Sequence, residues 1–417
     1  MTRKSKSTPQ VGRVADRHAS TDRVSSRSGR RGLWRLPIHK SAGLWHRAAT
    51  TSSDAAAQLW EFLFQFLPVV GRRGHAKSSG KSTAEELDEY LALFARGCGS
   101  TEDVALRKRM YKELSNGMYD IATDFYEWGW GPSFHFAVYG PDETFREATR
   151  RYEYTIALRL KLDPDAEVID LGCGVGGPLR NIARFARCHV VGVNICDYQI
   201  LRGLRYIEDE GLMNQCTIIK ADFNDLPFAT SSKDGAYQIE ATCHSPDKRK
   251  TYSEVFRVLK PGTRFVGYEW ALTNRYDASN AEHEQLKFGI EIGNGIPDLM
   301  RAEEITQVLT QVGFEIEDAY DAAELSVKPW YTPLSGEDAF HWSGFRHTRL
   351  GHHVTHALVS ALETMRIAPK GSAKMSRTLM DGARDLVAAG KLGIFTPSFF
   401  IVARKPLELN TNTNVSH

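Results

Sequence analysis

The run Val168-Ile169-Asp170-Leu171-Gly172-Cys173-Gly174-Val175-Gly176-Gly177-Pro178 (residues 168–178) decides the fold. Its first four residues are a short apolar run that reads as a buried strand. The glycines after it let the backbone take positive φ and come close to a ligand, and Pro178 fits the first turn of a helix. Downstream of it, His189 to Val193 reads as a second strand, Tyr198 to Glu208 as a helix, Thr217 to Ala221 as a third strand and Ala236 to Ala241 as a fourth. A helix with Tyr252, Val255, Phe256 and Leu259 on one face follows, and Lys260-Pro261-Gly262 reads as its stop. Phe265 to Tyr268 makes strand five, and Ile394 to Ala403 a last strand at the sheet edge. Such alternation specifies an α/β, doubly wound, mostly parallel sheet with its ligands at the carboxyl ends of the strands.

The glycine loop admits two ligands. Gly172, Gly174 and Gly177 satisfy GxGxxG, and Asp197 stands twenty residues beyond Gly177, as a dinucleotide fingerprint asks. Asp170 argues otherwise, because a carboxylate two residues before the first glycine repels a pyrophosphate and suits a cation. S-adenosylmethionine, with its sulfonium and ammonium charges, is the better fit. Its expected contacts are Asp170, Gly172, Gly174, Gly176 and Gly177, with Asn194 at the end of strand two for the ribose, Gln199 nearby, and Asp222 and Phe223 after strand three for the adenine.

Composition bounds the rest. The chain has 417 residues, 42% hydrophobic and 25% charged, which is ordinary for globular protein. Residues 1–81 carry 16 Lys and Arg against 4 Asp and Glu, and the remainder 37 against 47, so a basic leader precedes an acidic body. Residues 1–53 are rich in Arg, Ser and Thr and hold no Glu, a composition expected to be disordered. Leu59 to Val70 is apolar but short and interrupted by Glu61 and Gln65, so it reads as an interfacial segment rather than a span of about 20 residues. The leader is read as a membrane-surface element, a targeting segment or a helix docked on the body. Gly71 to Ser82 is a linker. The six cysteines contain no CxxC pair and are expected to be buried thiols; no metal is expected. His352, His353 and His356 include an i, i+4 pair without a carboxylate companion and are read as a packed or solvated group.

Three segments concentrate aromatics and acids: Tyr126-Glu127-Trp128-Gly129-Trp130-Gly131, continuing to Phe134-His135-Phe136; Glu240 to His244 at the end of strand four; and Tyr268-Glu269-Trp270 at the end of strand five. The chemistry that needs such a set is methyl transfer to a carbon–carbon double bond. An alkene attacks without a base and leaves a carbocation, which ring faces steady by about 0.5–2 kcal/mol each. A carboxylate or imidazole then removes a proton.

At this point the sequence resembles the sterol 24-C-methyltransferases. The resemblance is carried by YEWGWGPSFHF (126–136), VIDLGCGVGGP (168–178), DYQILR (197–202), KADFNDLPF (220–228), IEATCHSP (239–246), YEWALTN (268–274), IEIGNGIPDL (290–299) and the stretch from APKGS to GIFTPSFFIVARKP (368–406). It implies a class I, Rossmann-like methyltransferase with a seven-stranded sheet and helical additions at both ends that form a sterol pocket. It also implies transfer of a methyl group to carbon 24 of a sterol, with hydride migration and loss of a proton. Glu240, His244 and Glu269 match positions associated with the active centre, and Tyr126 and Glu127 lie in the family's sterol-binding segment. Glu240 or His244 is the expected proton acceptor, ahead of Glu127. Trp128, Trp130, Phe134, His135, Tyr268 and Trp270 are the expected substrate contacts. Asn294 stands where the family usually has Asp, and residues 193–197 depart from the family's more Asn-rich run.

The expected domains are a leader at 1–82, a methyltransferase domain at 83–320 and a C-terminal region at 321–417. Expected partners are a sterol and a peripheral membrane surface, at the endoplasmic reticulum or another intracellular membrane facing the cytosol, with a homo-oligomer and without nucleic acid. A methyltransferase acting on another lipid or a prenyl quinone, and a non-catalytic sterol carrier, are the rival readings.

Overall fold

The computed structural model describes residues 83–335 and 349–407. The readings of residues 1–82 as leader, interfacial segment and linker lie outside these residues. Three helices lead in: α1 (Thr83–Ala92), α2 (Thr101–Arg109) and α3 (Tyr111–Trp130). The core then alternates α4 (Phe145–Leu160), β1 (Glu167–Leu171), α5 (Gly177–Ala186), β2 (His189–Asn194), α6 (Asp197–Asp209), β3 (Cys216–Lys220), β4 (Lys233–Ile239), α7 (Lys248–Val258) and β5 (Leu259–Leu272). There follow α8 (Ala281–Asn294), α9 (Ala302–Val312), β6 (Glu315–Asp321), α10 (Arg349–Thr364), α11 (Ser372–Leu392) and β7 (Phe395–Arg404).

The seven strands lie in the order β3-β2-β1-β4-β5-β7-β6. The first five are parallel neighbours, with Val168 opposite both Val190 and Gly235, and β7 runs antiparallel to β5 and β6. Two expectations are corrected here. The last strand is not at the edge, because β6, a largely exposed strand whose pattern is hard to read, covers it. Lys260-Pro261-Gly262 does not stop a helix: α7 ends at Val258 and the same residues already belong to β5, whose register slips beside Lys233 and Gly235. A Pro beside such an irregularity leaves no ladder hydrogen bond unmade.

Both faces of the sheet are buried, as a parallel sheet requires. Val168, Tyr237, Val266 and Val402 pack under α4, α5 and α6; Ile169, Ala236, Phe265 and Ile401 pack under α7 and α9. The period-two alternation of the strands sorts every residue at their carboxyl ends to one side or the other, and that sorting settles much of the site. Helices α1, α3, α8 and α11 form a separate cluster around Tyr90, Leu114, Met118 and Met375. There α8 and α11 cross closely: a Cβ on Gly293 would lie 2.5 Å from the Gly382 Cα. The buried pair Arg107–Glu291, 3.0 Å apart, ties α2 to α8. Five cysteines are buried, but Cys98 is exposed, against the reading of six buried thiols.

Candidate active site

Two cavities meet above the carboxyl ends of β1, β2, β4 and β5. The first is a crevice along the glycine loop. Gly172, Gly174 and Gly176 take φ of 70°, 54° and 74°, so the strand-to-helix turn depends on residues without a Cβ. At Gly172 an added Cβ would meet the Ala241 Cβ at 2.5 Å, and at Gly177 the Pro132 carbonyl oxygen at 2.2 Å. Gly172 and Gly174 line the crevice; Gly176 and Gly177 serve the turn and its packing. Asn194 closes the next corner, donating to the Gly174 carbonyl at 3.1 Å and to Gln199 Oε1 at 2.9 Å, while Gln199 donates to Thr123 at 3.1 Å. Asp222 accepts from the Tyr111 hydroxyl, from the Asn224 backbone at 2.9 Å and from Lys112 at 2.9 Å. Burial opposes its ionisation, but Lys112 and Tyr111 overcome it and hold the carboxyl below its usual value. Phe223 lines the same wall.

Asp170 is placed differently from its reading. It shares the Val168 face of β1, is 3% exposed, accepts from the Tyr237 hydroxyl at 3.0 Å and does not line the crevice. Burial pushes its carboxyl up to about 7. It stands behind the loop, on the side of β1 where Tyr237 packs.

The roof of the crevice was not read from the sequence. Tyr111, Ser115 and Tyr119 fall at i, i+4 and i+8 on α3, and all three face the crevice, with Asn116 beside them. Ser115 Oγ and Asn116 Oδ1 are buried without partners among the described residues, which leaves polar atoms free for a ligand. A glycine cradle, a carboxylate beyond β3 and these unmet oxygens fit an adenosyl amino acid such as S-adenosylmethionine.

The second cavity is apolar and runs between α3, α8, α10 and α11. Tyr126, Trp128, Trp130, Phe134, His135 and Trp270 line it. Tyr126 sits 5.6 Å from Phe134 and 6.2 Å from Trp130 between ring centroids, and its hydroxyl points to Asn294 Oδ1 at 3.4 Å. His135 stacks on Tyr152 and donates to the Phe136 carbonyl at 2.6 Å, with its other nitrogen 3.3 Å from Glu153. Burial opposes a charge on this imidazole, yet Glu153 outweighs it and the pKa is raised. Glu153, fully buried, also accepts from Ser133 and Asn181; it is a site support that the helical run of α4 gave no reason to single out.

Four residues border both cavities: Tyr119, Phe134, Glu240 and His244. Glu240 follows β4 at φ 56°, a left-handed backbone that a non-glycine residue adopts only where its surroundings impose it. Its oxygens accept from the Phe136 backbone and from Trp270 Nε1, both at 2.8 Å. Burial raises its carboxyl to about 7, against the pull of His135 and these donors. The Gly295 carbonyl can only accept, so His244 Nδ1 donates to it at 3.0 Å, and Nε2 is left to accept the Tyr119 hydroxyl at 2.9 Å. Burial holds His244 below its usual pKa and Tyr119 well above its own, so this pair is neutral near pH 7.

Three expected residues line neither cavity. Glu127 accepts from Tyr206 at 2.6 Å and pairs with Arg202, fastening α3 to α6. Tyr268 falls on the Val266 face and stacks on Tyr152 at 3.5 Å. Glu269 falls on the opposite face, where Lys248 at 3.0 Å and the Thr242 hydroxyl engage it. Only Trp270, one step beyond the helix layer, reaches the cavity.

Fold and crevice together define a class I, Rossmann-like S-adenosylmethionine-dependent methyltransferase. Residues 169–267 match the methyltransferase domain model, and residues 342–407 match the sterol methyltransferase C-terminal model. The chain is 44% identical over 330 residues to the cycloartenol-C-24-methyltransferase of Arabidopsis thaliana, covering 79% of this chain and 96% of that one. It is 43% identical over 359 residues to the sterol 24-C-methyltransferase of Yarrowia lipolytica, covering 82% and 94%. The chain belongs to the sterol 24-C-methyltransferase family. Among solved structures, a cyclopropane synthase from Mycobacterium tuberculosis superposes with a TM-score of 0.56 at 14% identity, over 70% of this chain and 96% of that one, which shows the shared fold.

Proposed function

We propose that the two cavities hold S-adenosylmethionine and a sterol, and that the protein transfers a methyl group to carbon 24 of the sterol side chain. The observation that carries this is the shared border: the crevice and the apolar cavity touch through Tyr119, Phe134, Glu240 and His244. S-adenosylmethionine, when bound, supplies an electrophilic methyl group. The substrate's π electrons would form the new carbon–carbon bond to that methyl group as its bond to sulfur breaks and a neutral thioether is left; the positive charge passes along the side chain with a hydride shift, and loss of a proton restores an alkene. The rings of Tyr126, Phe134, Trp130 and Trp270 exclude water and offer π faces to the cation. Glu240 takes the proton: it is the carboxylate at the border, and its Phe136 and Trp270 donors fix its direction. Tyr119 and His244 form a second, neutral acceptor beside it, in which the hydroxyl hands its proton to Nε2 as its oxygen receives another.

The reaction takes place at the surface of the endoplasmic reticulum or another intracellular membrane, facing the cytosol. A sterol resides in membrane, and residues 1–81 combine excess positive charge with a short apolar stretch, a pairing suited to anionic headgroups. The test is incubation of the purified chain with methyl-labelled cofactor and sterols bearing a side-chain double bond, with products identified by mass spectrometry. Label in a sterol at carbon 24 is expected. Label in a quinone alone, or sterol recovered without label, would establish a rival reading.

A further inference from the structure

Within the apolar cavity one buried hydroxyl has no hydrogen-bond partner among the described residues. Thr355 on α10 is 8% exposed and lines the cavity, and its Oγ1 is buried without a hydrogen-bond partner among the described residues. Ser360 and Thr364 on the same helix donate to the carbonyls four residues before them, each at 2.8 Å, so the local backbone offers the usual outlet and Thr355 does not take it. A buried hydroxyl left unpaired is destabilising, and the group is therefore set up for a ligand atom. Ser376 on α11 also lines the cavity, and its Oγ lies 3.3 Å from Nδ1 of His356, the residue that follows Thr355 in the chain.

The position of this pair along the cavity is informative. Residues of α11 line the cavity from Ser376 to Leu386. Leu386 packs in one cluster with Phe136 and Trp270, the two residues that donate to Glu240. Ten residues of helix separate it from Ser376, about 15 Å of rise. A sterol carries a single oxygen, at the end of its ring system remote from the side-chain double bond. We infer that Thr355, with Ser376 beside it, hydrogen-bonds the 3-hydroxyl of the sterol and thereby sets which carbon of the side chain reaches Glu240. The inference rests on the cavity being the sterol site.

The experiment compares a 3β-hydroxy sterol with its 3-deoxy counterpart, in the full chain and in Thr355→Val and Thr355→Ser. The wild-type chain is expected to favour the hydroxy sterol about tenfold in kcat/KM, mostly through KM, the size of one neutral hydrogen bond. Thr355→Val removes the hydroxyl at nearly constant volume and should bring the two sterols level, while Thr355→Ser should restore the preference. A wild-type chain that does not discriminate overturns the inference, as does a Thr355→Val chain that keeps the wild-type ratio. If neither sterol is alkylated by the wild-type chain, the methyl-transfer reading falls. The subsite is then still decided by equilibrium binding of the same two sterols, where equal dissociation constants for the wild-type chain would overturn it.

Discussion

The cofactor crevice and the sterol cavity share a wall but are built in opposite ways. The floor of the crevice is assembled from the consecutive loops at the ends of β1, β2, β3 and β4, and its roof, from α3, comes from elsewhere in the chain. The cavity is assembled from helices α3, α8, α10 and α11, separated by up to some two hundred and fifty residues, and is held by packing such as the Gly293–Gly382 crossing. The lesson is that chemistry placed at the border depends on both, so the border residues should be the most sensitive. Glu240→Gln is the strongest test. Loss of the carboxylate is expected to lower kcat by 10²- to 10⁴-fold, the range for a positioned general base, with cofactor affinity by calorimetry close to wild type. A kcat within threefold of wild type would move the proton to the Tyr119–His244 pair.

The second test compares two glutamates at the ends of adjacent strands. Glu269 lies beside Lys248 in a fully buried ion pair with side chains 0% and 3% exposed. Glu269→Gln leaves that ammonium without a counter-charge, which is expected to cost about 3–5 kcal/mol of stability by denaturant unfolding. The refolded enzyme should retain most of its kcat. A kcat loss as large as that of Glu240→Gln, with stability unchanged, would return Glu269 to the reacting centre.

These two residues also show what could be read from the sequence. The parallel sheet and the glycine turn were legible because their signals are local: an apolar run, three positive-φ glycines and a helix start within eleven residues. Tyr268, Glu269 and Trp270 were adjacent in sequence and were read as one group, yet strand alternation sends Glu269 to one face and the depth of the helix layer separates Tyr268 from Trp270. Spacing places Asp170 beside the loop, but its hydrogen bond to the Tyr237 hydroxyl follows from its face of β1, which spacing alone does not give. Tyr111, Ser115 and Tyr119 carried the i, i+4, i+8 signal, but an amphipathic helix shows that pattern whether it covers a core or a ligand. Thr355 carried no signal at all, since its role depends on a hydrogen bond it does not make.

A third test asks how far the crevice relies on its turn. Gly172→Ala places a Cβ against Ala241 and forces φ 70° on a residue that disfavours it. Strain of about 1–3 kcal/mol is expected. Because Ala241 lines the crevice and not the sterol cavity, the displacement should weaken cofactor binding by roughly ten- to a hundredfold in calorimetry. The sterol cavity should respond less, with sterol affinity nearly unchanged. Equal losses for both ligands would mean that the two regions are mechanically one.

The smallest effect separates the regions by pH. Burial raises both Glu240, at the border, and Asp170, behind the crevice, to about 7. A carboxyl with a raised folded-state pKa keeps its proton in the folded chain after the unfolded chain has lost it. Its contribution to stability is therefore present below the unfolded value, near 4.5 for Glu240 and 3.8 for Asp170, and is lost as pH rises through about 7. Thermal stability should fall modestly between pH 5 and 8, and Asp170→Asn and Glu240→Gln should each flatten part of that slope. Turnover should run the other way in the wild-type chain, because Glu240 accepts a proton only as the carboxylate, so kcat should rise across pH 7. The Asp170→Asn chain should keep that activity profile while losing its share of the stability slope. A profile altered as much by Asp170→Asn as by Glu240→Gln would show that the titrating base lies behind the glycine turn instead of at the border.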